Sequence, residues 1–429
     1  MGIKVLHTAD LHFGMENYGR IDPATGMNRR LLDFRDAFAA ALDHALARDV
    51  DLVLIAGDCF RTRDPLAIHQ REFASCLKKV LDRRIPVVIV LGNHDTPNAI
   101  GRAHSLAVFG SLAVPRLTLI EQPAVKVIET FHGPLQVAAL PYLARSFLLD
   151  KDAYKGLPVD EVVRVLAAKC DDILRELASR VDPNLATVLA FHGSVHGAEF
   201  GSERGVMVGH DLVVPYGSID LRDGHGNPVW DYVALGHIHK HQDLNEGRQP
   251  PVVYPGSIER IDFGEERETK GFCMVDVERG RAAYEFVPLP ARPFVTLRLE
   301  CADGQADAEA ALAAVLAARE REHGPGAGLA GAVARVIVRV AAGGERFDER
   351  PLRARLEKAG VYYLAGVARE VVGETTRGRD SRLTERLGPL EAIERYLEVN
   401  PELLPRRETL MAAARDLLRE MTEEPGPPR

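Results

Sequence analysis

Residues 87–95 read Val87-Val88-Ile89-Val90-Leu91-Gly92-Asn93-His94-Asp95, five apolar residues, four of them β-branched, breaking at a glycine into three polar ones. An apolar run this short, closed by turn residues, reads as a strand buried on both faces. Nothing in its body accounts for the polar cluster at its end. The pattern recurs: Ile3–His7 leads to Asp10-Leu11-His12, Leu52–Ala56 to Gly57-Asp58, Thr187–Phe191 to His192-Gly193, and Tyr232–Leu235 to Gly236-His237-Ile238-His239. Val252–Tyr254 is a further strand-like run. Between the first two strands Leu31, Leu32, Phe34, Phe38, Leu42 and Leu46 recur at helical spacing, and Pro65 opens a second helix that buries Phe73, Leu77 and Val80. Short strands alternating with amphipathic helices over residues 1–290 predict a layered α/β domain.

Loops that follow the carboxyl ends of strands in such a sheet converge on one crevice, so clusters distant in sequence meet there. Glycine before Asp58, Asn93 and His237 lets the chain turn sharply and brings backbone close to a bound group. Imidazole and carboxylate together suit manganese, iron or zinc rather than magnesium or calcium, which prefer oxygen shells. Asp58 has two oxygens with which to bridge two ions about 3.5–4 Å apart. Taken singly, each fragment has a plainer reading: Asp10 as a cap, Gly92–Asp95 as a tight turn, His192 as a satisfied buried histidine. Five in order, each after a strand, point to a metal centre.

A chain of 429 residues exceeds what one core usually serves. Its net charge of −8 argues against coating nucleic acid along the whole surface, though not against a local basic groove. The five cysteines, Cys59, Cys76, Cys170, Cys273 and Cys301, are scattered, with no CxxC pair, and read as reduced and buried. No apolar run approaches the ~20 residues of a membrane span, and a cytosolic protein is expected. No Gly-x-x-x-x-Gly-Lys-Ser/Thr loop occurs, so any ATP-driven behaviour belongs to a partner.

Near residue 290 the pattern restarts: a strand at Val295–Leu299, an Ala-rich helix over Asp307–Glu322, a break at Gly324–Gly328, a strand at Ala334–Val340, a helix around Pro351–Ala359 and a strand around Val361–Val367. This small α/β module (291–372) carries none of the candidate ligands. A polar linker (373–388) leads to two short amphipathic helices within 389–422, with Leu390, Ile393 and Leu397 on the first and Leu410, Ala414, Leu417 and Met421 on the second. Residues 423–429 read as a disordered tail.

The five blocks resemble the calcineurin-like metallophosphoesterases. His7-Thr-Ala-Asp-Leu-His12-Phe-Gly14, Gly236-His-Ile-His-Lys240, Tyr254-Pro-Gly-Ser-Ile-Glu-Arg260, Asp262-Phe-Gly-Glu265 and Lys270-Gly-Phe272 resemble more closely the SbcD branch, the nuclease subunits of the SbcCD DNA-repair complex and their archaeal and eukaryotic counterparts. The resemblance covers about the first 275 residues. It implies an α/β metallophosphoesterase β-sandwich flanked by helices (1–290), a small α/β capping domain and a C-terminal helix pair. It also implies two divalent ions, manganese foremost: one on Asp10, His12 and His239, the second on Asn93, His192 and His237, with Asp58 bridging. A metal-bound hydroxide would attack the DNA phosphorus, and His94 would stabilise the transition state or protonate the leaving oxygen. Asp95 either orients His94 or is a plain turn carboxylate.

The implied activity is double-strand exonuclease and single-strand or hairpin endonuclease within a break-processing complex. The implied assembly is a homodimer inside a heterotetramer with an SbcC-like coiled-coil ATPase, held through residues 389–422. The dimer surface would include Leu66, Ile68 and Phe73 on one helix and Leu106, Val108 and Phe109 on another, unless these are core. Arg61 stands where archaeal and eukaryotic members carry a histidine; it holds a DNA phosphate or is a solvated surface arginine. Further candidate DNA contacts are Asn17, Tyr18, Arg20, Arg29, Arg30, Asn98, Arg102 and His104. The rival functions are a small-molecule phosphodiesterase with the same cage and a DNA-end tether in which chemistry is secondary.

Overall fold

Each apolar run named above is a strand in the computed structural model, which describes residues 2–97, 103–143, 159–201, 212–301, 304–324, 328–341, 348–372, 389–398 and 401–422. The expected linker (373–388) and tail (423–429) lie outside the described residues. In chain order the strands are β1 (Ile3–Thr8), β2 (Leu52–Ala56), β3 (Val87–Val90), β4 (Leu117–Ile120), β5 (Ala124–Thr130), β6 (Gly133–Leu140), β7 (Ala186–His192), β8 (Ser194–Val195), β9 (Val213–Val214), β10 (Tyr232–Gly236), β11 (Gln242–Asp243), β12 (Val252–Tyr254), β13 (Gly271–Glu278), β14 (Arg281–Pro288), β15 (Phe294–Cys301), β16 (Val333–Ala341) and β17 (Tyr363–Val372). The helices are α1 (Arg29–Ala47), α2 (Ala67–Leu81), α3 (Ala107–Ser111), α4 (Val159–Ser179), α5 (Tyr216–Ile219), α6 (Gly304–His323), α7 (Glu349–Lys358), α8 (Pro389–Glu398) and α9 (Arg407–Thr422).

The chain divides into two units, the first formed by Met1–Leu297, Ala317–Arg335 and Arg353–Gly366, the second by Arg298–Leu316, Val336–Leu352 and Val367–Arg429. In the first, two six-stranded sheets run in the orders β14-β13-β1-β2-β3-β4 and β11-β12-β10-β7-β6-β5. The centre of each is parallel, β1 to β4 in one and β12-β10-β7-β6 in the other. Strands β13 and β14 close one edge antiparallel, and β5 and β11 flank the other sheet antiparallel. Parallel strands covered on both faces need apolar side chains at every position, which is why these runs do not alternate.

Val5, Leu52, Leu54, Val88 and Val90 of the first sheet meet Val137, Ala139, Val188, Ala190 and Ala234 of the second in one apolar layer. Outside the first sheet, Leu31, Phe34, Phe38 and Leu42 of α1 and Phe73, Leu77 and Val80 of α2 cover it. Outside the second, Cys170, Leu174 and Leu177 of α4 pack with Leu189, Val233 and Leu235. The result is a β-sandwich flanked by helices, as expected. Asn28 caps α1 by accepting from the Arg30 amide. All five cysteines are buried.

Strands β15, β16 and β17 form a three-stranded sheet in that order. The second unit has its own small core, with Leu299, Leu312, Val336, Val338 and Leu352 buried. Helices α8 and α9 pack on each other and bury Leu397, Met411 and Ala414, and Glu394 pairs with Arg407. Among the described residues no helix is long and apolar enough to cross a membrane.

The six residues read as either dimer surface or core divide between the two. Phe73 and Leu106 are fully buried, and Ile68 and Phe109 pack partly buried against the same core. Of the six residues proposed for a dimer surface, only Leu66 (61% exposed) and Val108 (45%) face solvent.

Candidate metal centre

The loops after β1, β2, β3, β7 and β10 meet at one end of the sandwich because those strands run parallel within their sheets. The first two are zipped together: the Asp10 amide donates to the Gly57 carbonyl at 3.1 Å and the His12 amide to the Asp58 carbonyl at 3.0 Å. Asp10, His12, Asp58 and His237 all have positive φ (52°, 42°, 53° and 99°). Each such residue costs of order 1–3 kcal/mol, and such strain clusters at functional sites. Two glycines are fixed by close approach, since a Cβ at Gly57 would fall 2.0 Å from His192 Nδ1, and one at Gly92 2.1 Å from Asp58 Oδ1.

Three groupings of ligand atoms result. Asp10, His12 and His239 converge, as do Asp10, Asp58 and His192, and His12, Asp58 and His94. The Nε2 atoms of His12 and His239 lie 3.1 Å apart. On the other side Asn93 Oδ1 is 3.0 Å from His192 Nε2 and 2.9 Å from His237 Nδ1, and Asp58 Oδ1 is 3.5 Å from His192 Nε2. All seven expected ligands are therefore gathered in one cluster.

The donor set fits metal ions. His239 Nδ1 donates to Glu265 at 2.8 Å and His192 Nδ1 to the Ala56 carbonyl at 2.7 Å, which leaves Nε2 of each ring as the nitrogen that faces the centre. Those Nε2 atoms lie 3.1 Å from His12 Nε2 and 3.0 Å from Asn93 Oδ1. Ligands about 2.0–2.2 Å from a shared cation stand about this far apart. His12 Nδ1 is buried without a hydrogen-bond partner. Among the described contacts of Asp10 and Asp58 there is no Lys or Arg; imidazoles and the backbone amides of His94 and His237 face two buried carboxylates. Burial pushes the His12 imidazole well below its ordinary value, and His239 adds to the effect, so it stays neutral and able to ligate. At His192 burial acts the same way but the charge of Asp58 outweighs it, and the ring is pushed up to about 9. That proton supplies positive charge that a bound cation displaces.

His94 sits at the rim, its ring 31% exposed and its Nε2 4.0 Å from Asp58 Oδ2. Its amide donates to Asp58 Oδ1 at 2.8 Å, and its Nδ1 donates to the Arg61 carbonyl at 2.8 Å. Arg61 is half-buried beside it, with Nη1 3.2 Å from the same ring nitrogen. Asp95 does not orient His94. Its carboxylate turns inward to accept from the amides of Gly92 (3.1 Å), Cys59 (3.2 Å) and Phe60 (3.3 Å) and from Ser105 Oγ (3.1 Å). Burial, with the nearby Asp58 charge, pushes its carboxyl up to about 6. It is the clamp that ties the β2 and β3 loops together.

The candidate DNA contacts divide. Asn17 and Arg20 are exposed; Arg20 also lies over Tyr362 and Tyr363, and its amide donates to the Tyr362 hydroxyl. Tyr18 packs edge-on against Phe263, Phe294 and Tyr363, half-buried. Arg29 is half-buried and shared between Asp22 and Asp33. Arg30 is a correction: it is fully buried, paired with Asp33 at 2.9 Å, bonded to the Arg260 carbonyl and set over Phe34, so it reaches no ligand. His104 pairs with Glu121 at 3.2 Å and is nearly buried. Asn98 and Arg102 lie outside the described residues.

Sequence reasoning passed over Tyr142, whose ring lies against His192 and His237. It quoted Tyr254–Lys270 without assigning roles. Tyr254 accepts from the Val195 amide and donates to the Gly193 carbonyl, fixing the loop that carries His192. Ser257 and Lys270 hold the His239 carbonyl, and Glu265 holds the His239 ring. Against burial, which raises it, Lys270 and His239 bring the Glu265 carboxyl down to about 2.

The profile of the calcineurin-like phosphoesterases matches residues 3–241. Three curated proteins, each named as the SbcD component of the nuclease SbcCD, are similar to this chain. That of Staphylococcus epidermidis is 24% identical over 294 residues, covering 67% of this chain and 70% of the relative. That of Rhodobacter capsulatus is 29% identical over 348 residues (75% and 78%), and that of Bacillus subtilis 27% over 285 (66% and 68%).

Proposed function

The chain belongs to the calcineurin-like phosphoesterases, and from that premise we propose that it is the DNA nuclease subunit of a double-strand-break processing complex. It hydrolyses DNA phosphodiesters as a double-strand exonuclease and a single-strand or hairpin endonuclease. The observation that carries the reading is the cluster of Asp10, His12, Asp58, Asn93, His192, His237 and His239 in a chain similar to three SbcCD nuclease subunits.

Asp10, His12 and His239 would hold one divalent ion, Asn93, His192 and His237 the other, with Asp58 shared; manganese suits this mixed set. When bound, such ions supply a nucleophile at neutral pH and neutralise charge on the phosphate. The chain's own residues do the rest. The Arg61 carbonyl holds the His94 ring proton on Nδ1, so Nε2 faces the centre with its lone pair, takes a proton from solvent there, and as imidazolium hands it to the leaving sugar oxygen while Nδ1–H stays on the carbonyl. The Arg61 guanidinium, beside that ring, takes a phosphate oxygen of the DNA. Tyr142 covers the His192–His237 side and limits water there. Asp95 keeps the two loops in register.

Asn17, Arg20 and Arg29 contribute weaker backbone contacts. The protein works in the cytoplasm as a homodimer within a heterotetramer. Residues 389–422 bind an SbcC-like coiled-coil ATPase through the faces that α8 and α9 leave after packing on each other. The test is manganese-dependent cleavage of labelled linear duplex and hairpin DNA beside a chromogenic bis-phosphate ester. Cleavage of both DNAs supports the nuclease; turnover of the ester alone, with the ATPase present, returns the chain to a small-molecule phosphodiesterase.

A further inference from the structure

We propose that Glu265, anchored by Lys270, is a positioning residue that sets the metal affinity of the Asp10–His12–His239 half of the centre and leaves the other half unaffected. The inference rests on the two-ion reading above. Its ground is a difference in what stands behind the Nδ1 atoms of His12, His192 and His239 and of the rim residue His94. His192 and His94 donate from Nδ1 to neutral carbonyls, those of Ala56 and Arg61. His12 Nδ1 has no partner. His239 donates instead to a carboxylate, Glu265 Oε1 at 2.8 Å. A charged acceptor behind an imidazole fixes its tautomer and raises its basicity toward a metal.

The carboxylate is itself held. Glu265 Oε2 accepts from Lys270 Nζ at 2.8 Å and from the Ile261 amide at 3.0 Å, and Glu265 and Lys270 are both 0% exposed. Lys270 Nζ also donates to the His239 carbonyl at 3.1 Å and meets Glu268 at 2.7 Å, and the Ser257 amide donates to the same carbonyl at 3.0 Å. Ring and backbone of His239 are thus fixed from opposite ends by one buried ion pair. The sequence device is the segment Asp262-Phe263-Gly264-Glu265: Asp262 caps a single tight turn by accepting from the Gly264 amide at 2.7 Å, and the turn delivers Glu265 to the ring. A buried ion pair adds little net stability over apolar residues of the same volume. Its effect is expected in the ligand it orients.

The test titrates metal-free protein with manganese(II) alone, following stoichiometry by calorimetry and the electron paramagnetic resonance spectrum, in which a coupled pair of ions differs from an isolated one. Wild type binds two ions and shows the coupled signal. In Glu265→Gln one ion keeps its affinity, the other weakens by about 10–100-fold, and the coupled signal gives way to an isolated ion at limiting metal. Two ions at wild-type affinity, or equal weakening of both, overturns the proposal. If circular dichroism shows that Glu265→Gln is unfolded, the variant Glu265→Gln with Lys270→Gln, which removes both charges, is titrated instead and judged by the same outcomes. A wild type that binds no manganese overturns the two-ion reading, and this proposal with it.

Discussion

His12 and His239 present their Nε2 atoms to one another across 3.1 Å, although 227 residues separate them. Two ligating nitrogens at that distance, with two buried carboxylates beside them, make the folded state bind cations that the unfolded chain does not. Chelating the metal therefore lowers the melting temperature. At free manganese a hundredfold above the dissociation constant, each ion contributes about 2.7 kcal/mol. Scanning calorimetry before and after chelation is expected to show a fall of several degrees, reversed by adding manganese; an unchanged midpoint contradicts the site.

Arg30 and Arg29 are adjacent and differ in what they do. Removing Arg30 strips a buried partner from Asp33 and Glu259. Arg30→Ala is expected to cost about 3 kcal/mol in urea unfolding, while the folded fraction keeps its DNA affinity. Arg29→Ala, at a 41% exposed side chain, stays within about 0.5 kcal/mol.

Arg61 accepts from His94 Nδ1 with its carbonyl, a contact that a side-chain change leaves in place. Arg61→Ala is expected to weaken DNA binding equally across sequences and to reduce the salt slope of log affinity by about one. Manganese content stays at two. An unaltered slope places the guanidinium off the DNA path.

The parallel strands β1, β2, β3, β7, β10 and β12 were legible because each is a mostly apolar run, and the ligands because they follow such runs; β4 and β6, parallel but interrupted by Thr118 and Gln136, were not. The antiparallel strands β13 and β14 were not legible either. They carry charged residues on one face, as in Asp276, Glu278, Arg281 and Glu285, and only β14 lies at the edge. Arg30 was misread because its burial depends on Glu259 and the Arg260 carbonyl, some 230 residues away. Asp95 follows His94 in sequence, but the turn aims its carboxylate into the loops behind. Phe73 and Leu106 look alike in sequence whether they face a partner or the core. Glu265 acquires its role only when the turn at 263–265 docks on His239.

His7 gives a pH dependence outside the metal centre. Its ring is buried between the Tyr232 hydroxyl (2.9 Å) and the Leu235 carbonyl (3.1 Å), and burial lowers its pKa to about 3. A histidine depressed below its unfolded value near 6.5 stabilises fully above pH 6.5 and loses that stability as pH falls toward 3. The loss is about 2 kcal/mol between pH 7.5 and 5. His7→Gln is expected to flatten that part of the stability curve in urea titrations; the same acid slope in the variant assigns it to other groups.

The most direct test of the account is the rate of manganese-dependent DNA cleavage by His94→Ala against wild type, with bound metal counted in both. The geometry predicts a rate lower by about 10²–10⁴-fold with two ions still bound, because His94 stands at the rim and is not one of the seven ligands. Wild-type cleavage by the variant, or loss of its metal, would contradict the role assigned to this ring.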